Sequence, residues 1–157
     1  MYCSLSDIRE MMDQDTLIDL LNNEKRSIDE IDLSGDDDPI VIRANGCIKD
    51  ADNEINTALG SRYIVPFTSV PDRVVFFSKE ISVYNIYLQR RRQVMDEQLT
   101  VRYKQIKQEL KDLANGTGVL EGAQLIGSGA AGSGAGVFVG SKKESDRIFS
   151  KDLLGKI

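Results

Sequence analysis

The stretch Ile48-Lys-Asp-Ala-Asp-Asn-Glu-Ile-Asn-Thr-Ala-Leu-Gly-Ser-Arg-Tyr-Ile-Val-Pro-Phe-Thr-Ser-Val-Pro71 decides the fold of this chain. A helical pattern stops at Gly60, which is a favourable residue at the end of a helix. Pro66 and Pro71 push the residues before them towards extended geometry, and Pro71 then opens a second apolar helix. The stretch carries no pair of catalytic carboxylates, metal-ligand cluster or nucleophile. It predicts a scaffold of two helices joined by an elbow, Gly60–Pro71.

The rest of the chain predicts an all-α fold, a small bundle of about four to five helices. Apolar residues between Pro39 and Leu59 recur at the i, i+4, i+7 spacing of an amphipathic helix, with Asp38 as its N-cap. Further long helices are expected near 72–88 and 95–114. Two short helices precede them, and the sequence favours Ser6 and Asp15 as their N-caps.

The helix predicted near 72–88 is apolar on nearly every side. Such a helix either lies at the centre of its own core, or is covered on one face by its own domain and on the other by another subunit. The pattern leaves both interpretations open.

The charge of the chain is unevenly distributed. The net charge is −5 over 157 residues, but residues 1–38 hold twelve acids and three bases. A duplex-DNA-binding protein normally concentrates positive charge, so this layout is more typical of head-to-tail contacts between copies. No apolar run reaches the ~18 residues of a transmembrane helix, and the first residues lack the basic start of a secretory signal.

Several kinds of chemistry are not expected. The chain has no histidine and two widely spaced cysteines, which argues against a zinc site and predicts reduced thiols in a cytosolic protein. The acids between Asp29 and Asp38 lack the order of a calcium loop and fit a solvated loop better. Gly127-x-Gly129-x-x-Gly132 matches the dinucleotide fingerprint, but glycines after it break the helix that the fingerprint requires. We therefore expect no enzyme activity, no metal and no cofactor.

The composition changes after Gly116, which is expected to end the last long helix. The sequence divides into a helical domain, residues 1–116, and a glycine-rich extended arm, residues 117–157, in which residues 137–139 have the pattern of a short β-strand. A tether that ends in apolar residues normally docks on another molecule. The predicted docking residues are Val137, Phe138, Val139, Arg147, Ile148, Phe149, Asp152, Leu153 and Leu154.

A basic cluster supports an alternative function, that of a small helical DNA-binding regulator. Arg90, Arg91 and Arg92 would then contact phosphates, and DNA affinity would fall steeply with salt. The competing interpretation is a solvated loop whose positive charge favours the carboxyl end of the preceding helix. The cluster is small and lacks neighbouring lysines or aromatic residues, so we favour the solvated loop.

The chain resembles a known family, the Mu-like phage and prophage proteins of the neck, called head-completion or head-to-tail adaptor proteins. The resemblance covers nearly the whole chain and is firmer in residues 1–116. The motifs that carry it are Met1-Tyr-Cys-Ser-Leu-Ser-Asp-Ile8, Ile48-x-x-Ala51-Asp-x-Glu-Ile55, Leu59-Gly60-x-Arg62-Tyr63-x-x-Pro66-Phe67, Val70-Pro71, Tyr84-x-x-Tyr87-Leu88-x-x-Arg91-Arg92, Val101-Arg-Tyr103-Lys104 and Arg147-Ile-Phe149-Ser-Lys-Asp152-x-Leu154.

The resemblance implies a helical adaptor that forms a ring of twelve copies under the portal protein of a tailed phage. The ring would extend the DNA channel, with DNA only as passing cargo, and would present a platform for a stopper or tail-terminator protein. The implied location is the neck of the virion, and the host cytoplasm before assembly, without membrane contact. We expect Arg62, Tyr63, Pro66 and Phe67 in the elbow to contribute to contacts between subunits. The glycine-rich insert at 127–136 departs from the family pattern.

Overall fold

A computed structural model describes residues 1–90 and 96–127 of the chain. The described residues form five α-helices: α1 (Leu5–Met11), α2 (Gln14–Leu21), α3 (Pro39–Leu59), α4 (Asp72–Gln89) and α5 (Glu97–Asn115). The all-α prediction is confirmed, and the three long helices begin and end within two residues of their predicted positions.

The N-caps explain where the helices begin. Asp38 caps α3 as predicted, and its carboxylate accepts a hydrogen bond from the backbone N–H of Ile40. The caps predicted for the short helices were wrong by two residues. Ser4, not Ser6, caps α1. In a capping box an acid lies three residues after the serine, and Asp7 has that position relative to Ser4. Asp13, not Asp15, caps α2.

Helices α3 and α4 form an antiparallel pair at the centre of the domain. The second half of α3 shares one hydrophobic cluster with the first half of α4, and the first half of α3 shares another cluster with the end of α4. Helices α1 and α2 cover the second of these clusters, while α5 and the elbow cover the first. The core is therefore continuous along the α3–α4 pair.

Helix α4 is central because all four other helices contact it. Phe77, Ile81 and Ile86 have no exposed surface, and the partly buried Phe76 and Tyr84 pack under α5. Contacts within one chain thus account for the apolar circumference of α4. A neighbouring subunit is not required to cover it.

A buried polar layer joins the two clusters. The carboxylate of Asp52 on α3 accepts hydrogen bonds from the Ser78 hydroxyl at 2.7 Å and from the backbone N–H of Tyr2 at 2.9 Å. The Tyr2 hydroxyl donates to Asn56 and accepts from the backbone N–H of Phe67. Since buried polar groups are costly unless they are hydrogen-bonded, this layer fixes the N-terminal segment between α3, α4 and the elbow.

Helix α5 attaches to the α3–α4 pair through aromatic and ionic contacts. The rings of Tyr103 and Tyr84 stack with centroids 3.9 Å apart. The Tyr103 hydroxyl donates to Glu54 on α3 at 2.8 Å, and Lys107 forms an ion pair with the same carboxylate at 2.6 Å. Burial, followed by the hydrogen bond to Glu54, raises the pKa of Tyr103 above its ordinary value.

Residues 117–127 pack against the bundle instead of leaving it at Gly116. The side chain of Leu120 is buried in the core, and its backbone N–H donates to the Tyr63 hydroxyl at 3.1 Å. Ile64 donates its N–H to the carbonyl of Gln124, and Ile126 donates to that of Arg62. The packed unit therefore continues about ten residues beyond the predicted boundary.

Candidate interaction surfaces

The elbow is held mainly by its buried side chains. Tyr63 and Phe67 are 1% and 8% exposed and belong to the core of their own chain. The Tyr2 and Phe67 rings pack with centroids 5.7 Å apart. A contact between subunits through the elbow would have to use its surface residues, among them the exposed Pro66. The predicted role of the elbow between subunits stays a prediction.

Arg62 fastens the elbow to the end of α5. Its guanidinium donates 2.9 Å hydrogen bonds to the backbone carbonyls of Leu113 and Gly118. A cation is favourable at this position because the last carbonyls of a helix carry partial negative charge. The guanidinium carbon also lies 5.4 Å from the centroid of the Tyr63 ring. The structure thus gives Arg62 a role within the chain.

Exposed aliphatic side chains surround the elbow. Val119 is 75% exposed, Ile126 57% and Ile64 49%. Ile64 and Ile126 lie on the two segments joined by the backbone hydrogen bonds to Gln124 and Arg62. Ile64 and Ile126 therefore form an apolar edge close to Gly127, the last residue of the described range, and Val119 is a further exposed aliphatic side chain beside Pro71 and the end of α5.

A groove between α3 and α5 is rimmed by lysines. Its floor contains Ala58, Leu110 and Ala114, and its rim contains Lys104, Lys107 and Lys111. We call it the lysine groove; its volume is about 450 Å³. The i, i+3, i+7 spacing of the three lysines was visible in the sequence, but Ala58 joins them only through the packing of α3 on α5. Sequence reasoning therefore missed this surface.

The acidic segment, residues 28–37, lies at the other end of α3. Ile31 and Leu33 pack against the core, whereas Ile28 is 68% exposed. Asp38 follows the segment and is buried, pairing with Arg26 at 3.0 Å. Hydrogen bonds, first from the Ile40 N–H, lower the pKa of Asp38. Asp38 is thus a structural carboxylate, whereas most acids of the acidic segment are exposed to solvent.

The arginines of the alternative function are only partly described. Arg90 forms an ion pair with Asp19 on α2. Arg91 and Arg92 lie outside the described residues, as does the predicted tail docking set, Val137, Phe138, Val139, Arg147, Ile148, Phe149, Asp152, Leu153 and Leu154. The ion pair compensates the charge of Arg90, and nothing in the described residues favours DNA binding by this cluster.

Both cysteines are buried and free. Burial is the largest cause that raises the pKa of Cys3 and of Cys47, which disfavours the reactive thiolate. Cys47 is confirmed as a small core residue of α3, with 1% exposure. Within residues 1–90 and 96–127, no group of three or more metal-ligating side chains occurs. None of the helices in these ranges is long and apolar enough to cross a membrane.

The described residues define a small helical domain with a lysine groove, an acidic segment and exposed aliphatic side chains on its surface. Residues 2–135 match the model of the family described as bacteriophage Mu, Gp36. The match covers most of the chain, so the chain belongs to the bacteriophage Mu Gp36 family and is a Mu-like phage protein. The resemblance to Mu-like phage proteins is thereby confirmed at the level of the family. A comparison with curated proteins found no match.

Proposed function

We propose that this protein is the head-to-tail adaptor, or head-completion protein, of a Mu-like phage or prophage. Copies of the chain form a ring below the portal protein, extend the DNA channel and join the capsid to the tail. Membership of the bacteriophage Mu Gp36 family supports a role in phage assembly. The role is structural and needs no catalytic group.

The observation that carries the proposal is the separation of unlike surfaces onto opposite ends of α3. The acidic segment precedes α3, and the lysine groove lies beside Ala58 near its end. Unlike surfaces at opposite ends of one rigid body favour head-to-tail association, which closes into a ring when the rotation between copies permits.

We assign the contact with the portal protein to the end of the domain that carries the elbow. The apolar edge of Ile64 and Ile126 lies close to Gly127, and the exposed Val119 lies beside Pro71. We assign the arm, with Phe149 and Leu154 among its anchors, to docking on the portal protein or on an adjacent subunit. A stopper or tail-terminator protein then binds the completed ring, through which DNA passes.

The test is to mix the full-length protein with the purified portal protein of the same phage. We expect light scattering to show a complex larger than the portal ring alone, and electron microscopy to show an added ring on one side of it. The protein alone and the portal alone, at matched concentrations, are the controls. A mixture in which both components keep their separate sizes would contradict the proposal.

A further inference from the structure

We propose that the lysine groove of one copy binds the acidic segment of the next copy in the ring. The inference rests on the proposed function and specifies the contact between subunits. It names one occupant for the groove, namely residues 28–37 of a second copy.

The lysine groove offers positive charge above a small apolar floor. Lys107 is compensated by Glu54 at 2.6 Å. Among the described residues, Lys104 and Lys111 have no ion-pair partner, and both are exposed. Leu110 in the floor is almost fully buried, and the flanking alanines Ala58 and Ala114 leave room for a side chain to enter. The groove therefore suits a segment that carries acids and one aliphatic side chain.

The acidic segment has that composition. Ile28 is 68% exposed and is followed directly by Asp29. Asp29, Asp36 and Asp37 are exposed and take part in no ion pair within residues 1–90 and 96–127. An exposed isoleucine among uncompensated carboxylates matches an apolar floor beneath uncompensated lysines.

The segment is also held in place before it binds. Asn22 donates to the Arg26 carbonyl at 2.8 Å and accepts from the Arg26 N–H at 2.9 Å. Asp38 accepts hydrogen bonds from Arg26 and from the backbone N–H of Asp32 at 3.0 Å each. Ordering a loop on binding costs free energy, so a segment that is already fixed loses less on docking.

The two surfaces are too far apart to meet within one chain. Asp37 lies just before α3 and Ala58 lies at its penultimate residue. A helix rises 1.5 Å per residue, so these ends are separated by roughly 30 Å. The contact must therefore form between copies, and because it joins unlike surfaces it repeats from one copy to the next.

The charge pattern favours a protein occupant over nucleic acid. Glu54 beside Lys107 and Asp112 beside Gln108 place carboxylates next to the groove. A phosphate backbone needs several adjacent uncompensated cations, whereas only Lys104 and Lys111 of the groove lysines lack an ion-pair partner among the described residues. It also offers nothing to fill the apolar floor, whereas Ile28 does.

The contact can be mapped by zero-length cross-linking of lysines to carboxylates with a carbodiimide. Unlabelled and ¹⁵N-labelled full-length chains are mixed, assembled with the portal protein and cross-linked. We expect mixed-isotope peptides that join Lys104 or Lys111 to Asp29, Asp36 or Asp37. Cross-links confined to single-isotope pairs, or absent between these residues, would overturn the proposal.

Charge reversal provides an independent test. Lys104→Glu with Lys111→Glu should weaken ring formation about tenfold or more, as should Asp36→Lys with Asp37→Lys. All four changes in one chain should restore assembly, since the two surfaces then exchange their charges. Lys49→Glu, on an exposed position of α3 away from the groove, is the control and should leave assembly unchanged. Melting temperatures show that each variant is folded.

The outcomes separate this inference from the proposed function. If the wild-type protein forms rings on the portal and the double lysine variant forms them equally well, the subunit contact is wrong and the adaptor role stands. If the wild-type protein neither binds the portal nor yields mixed-isotope cross-links, both are wrong. If the lysine variant instead loses salt-dependent DNA binding while rings persist, the groove is a nucleic-acid site.

Discussion

Two glycines, one directly after α5 and one inside α3, should respond in opposite ways to substitution by alanine. Gly116 ends α5 with φ of +86°, in the left-handed region that costs an L-residue about 1–2 kcal/mol. Gly46 lies exposed inside α3, where an added Cβ would meet no atom within 4 Å. Gly116→Ala should therefore lower the free energy of unfolding by about 1–2 kcal/mol. Gly46→Ala should raise it by about 0.5–1 kcal/mol. Urea denaturation measures both, and changes of the same sign would contradict the backbone assignment.

The buried carboxylate of Asp52 should matter far more than its exposed neighbour. Asp52→Ala leaves the Tyr2 N–H without its acceptor and the Ser78 hydroxyl with only the weakly accepting Cys3 sulfur, which costs about 1–3 kcal/mol for a buried group. Asp50→Ala, two residues away on the exposed side of α3, should change stability by less than about 0.5 kcal/mol. Thermal unfolding of the two variants makes the comparison. Equal effects would mean that the polar layer does not stabilise the fold.

At the scale of the element, α1 should loosen from α4 in acid. Hydrogen bonds from Lys79 on α4 and then from Ser4 lower the pKa of Asp7 from 3.8 to about 2. A carboxylate whose pKa is lower in the folded state stabilises that state above its unfolded pKa, and this stability is lost as the pH falls through the folded value. Stability should therefore decline between about pH 4 and pH 2.

Replacing the carboxylate should remove that part of the decline. Asp7→Asn should lower the melting temperature at neutral pH and flatten its fall below pH 4. Asp36→Asn, in the exposed acidic segment, is the control and should keep the wild-type profile. An Asp7→Asn profile parallel to that of the wild type would show that another group controls the acid transition.

The long helices were predictable because their determinants are local. Asp38 caps the start of α3 with its side chain, and Gly116 ends α5 in a left-handed backbone conformation. Both helix ends were predicted correctly. The N-caps of the short helices were predicted wrongly, although Asp7 lies three residues after Ser4 and so matches the capping-box pattern. The position of α4 was not predictable, because only the assembled fold shows that four helices cover it.

For the whole molecule, we expect that residues 128–157 can be deleted without loss of stability, whereas residues 117–127 cannot. Deleting residues 128–157 leaves the buried Leu120 and the elbow hydrogen bonds intact, so the melting temperature should stay unchanged while portal binding is lost. Deleting residues 117–157 should also lower the melting temperature, because burial of a leucine side chain contributes about 1.5–3 kcal/mol. Retained portal binding by the shorter deletion would contradict the docking role of the arm.

The surfaces of the molecule were less predictable than its helices. The glycine-rich composition after Gly116 concealed the anchoring of Leu120, since one leucine leaves no periodic signal and its partner Tyr63 is distant in sequence. The lysine groove likewise depends on Ala58, which only tertiary packing brings beside α5. The composition of the acidic segment was visible in the sequence, but the exposure of its Ile28 side chain was not predictable from it.

The buried polar layer has a consequence for hydrogen exchange. Terminal amides usually exchange with solvent fastest, because chain ends open without disturbing the core. The amide of Tyr2 donates to the buried Asp52, and the Tyr2 side chain is bonded to α3 and the elbow. Its release therefore requires the hydrogen bonds to α3 and to the elbow to break together. We expect the Tyr2 amide to exchange far more slowly than the amides of the exposed loops, which hydrogen-exchange NMR would measure residue by residue.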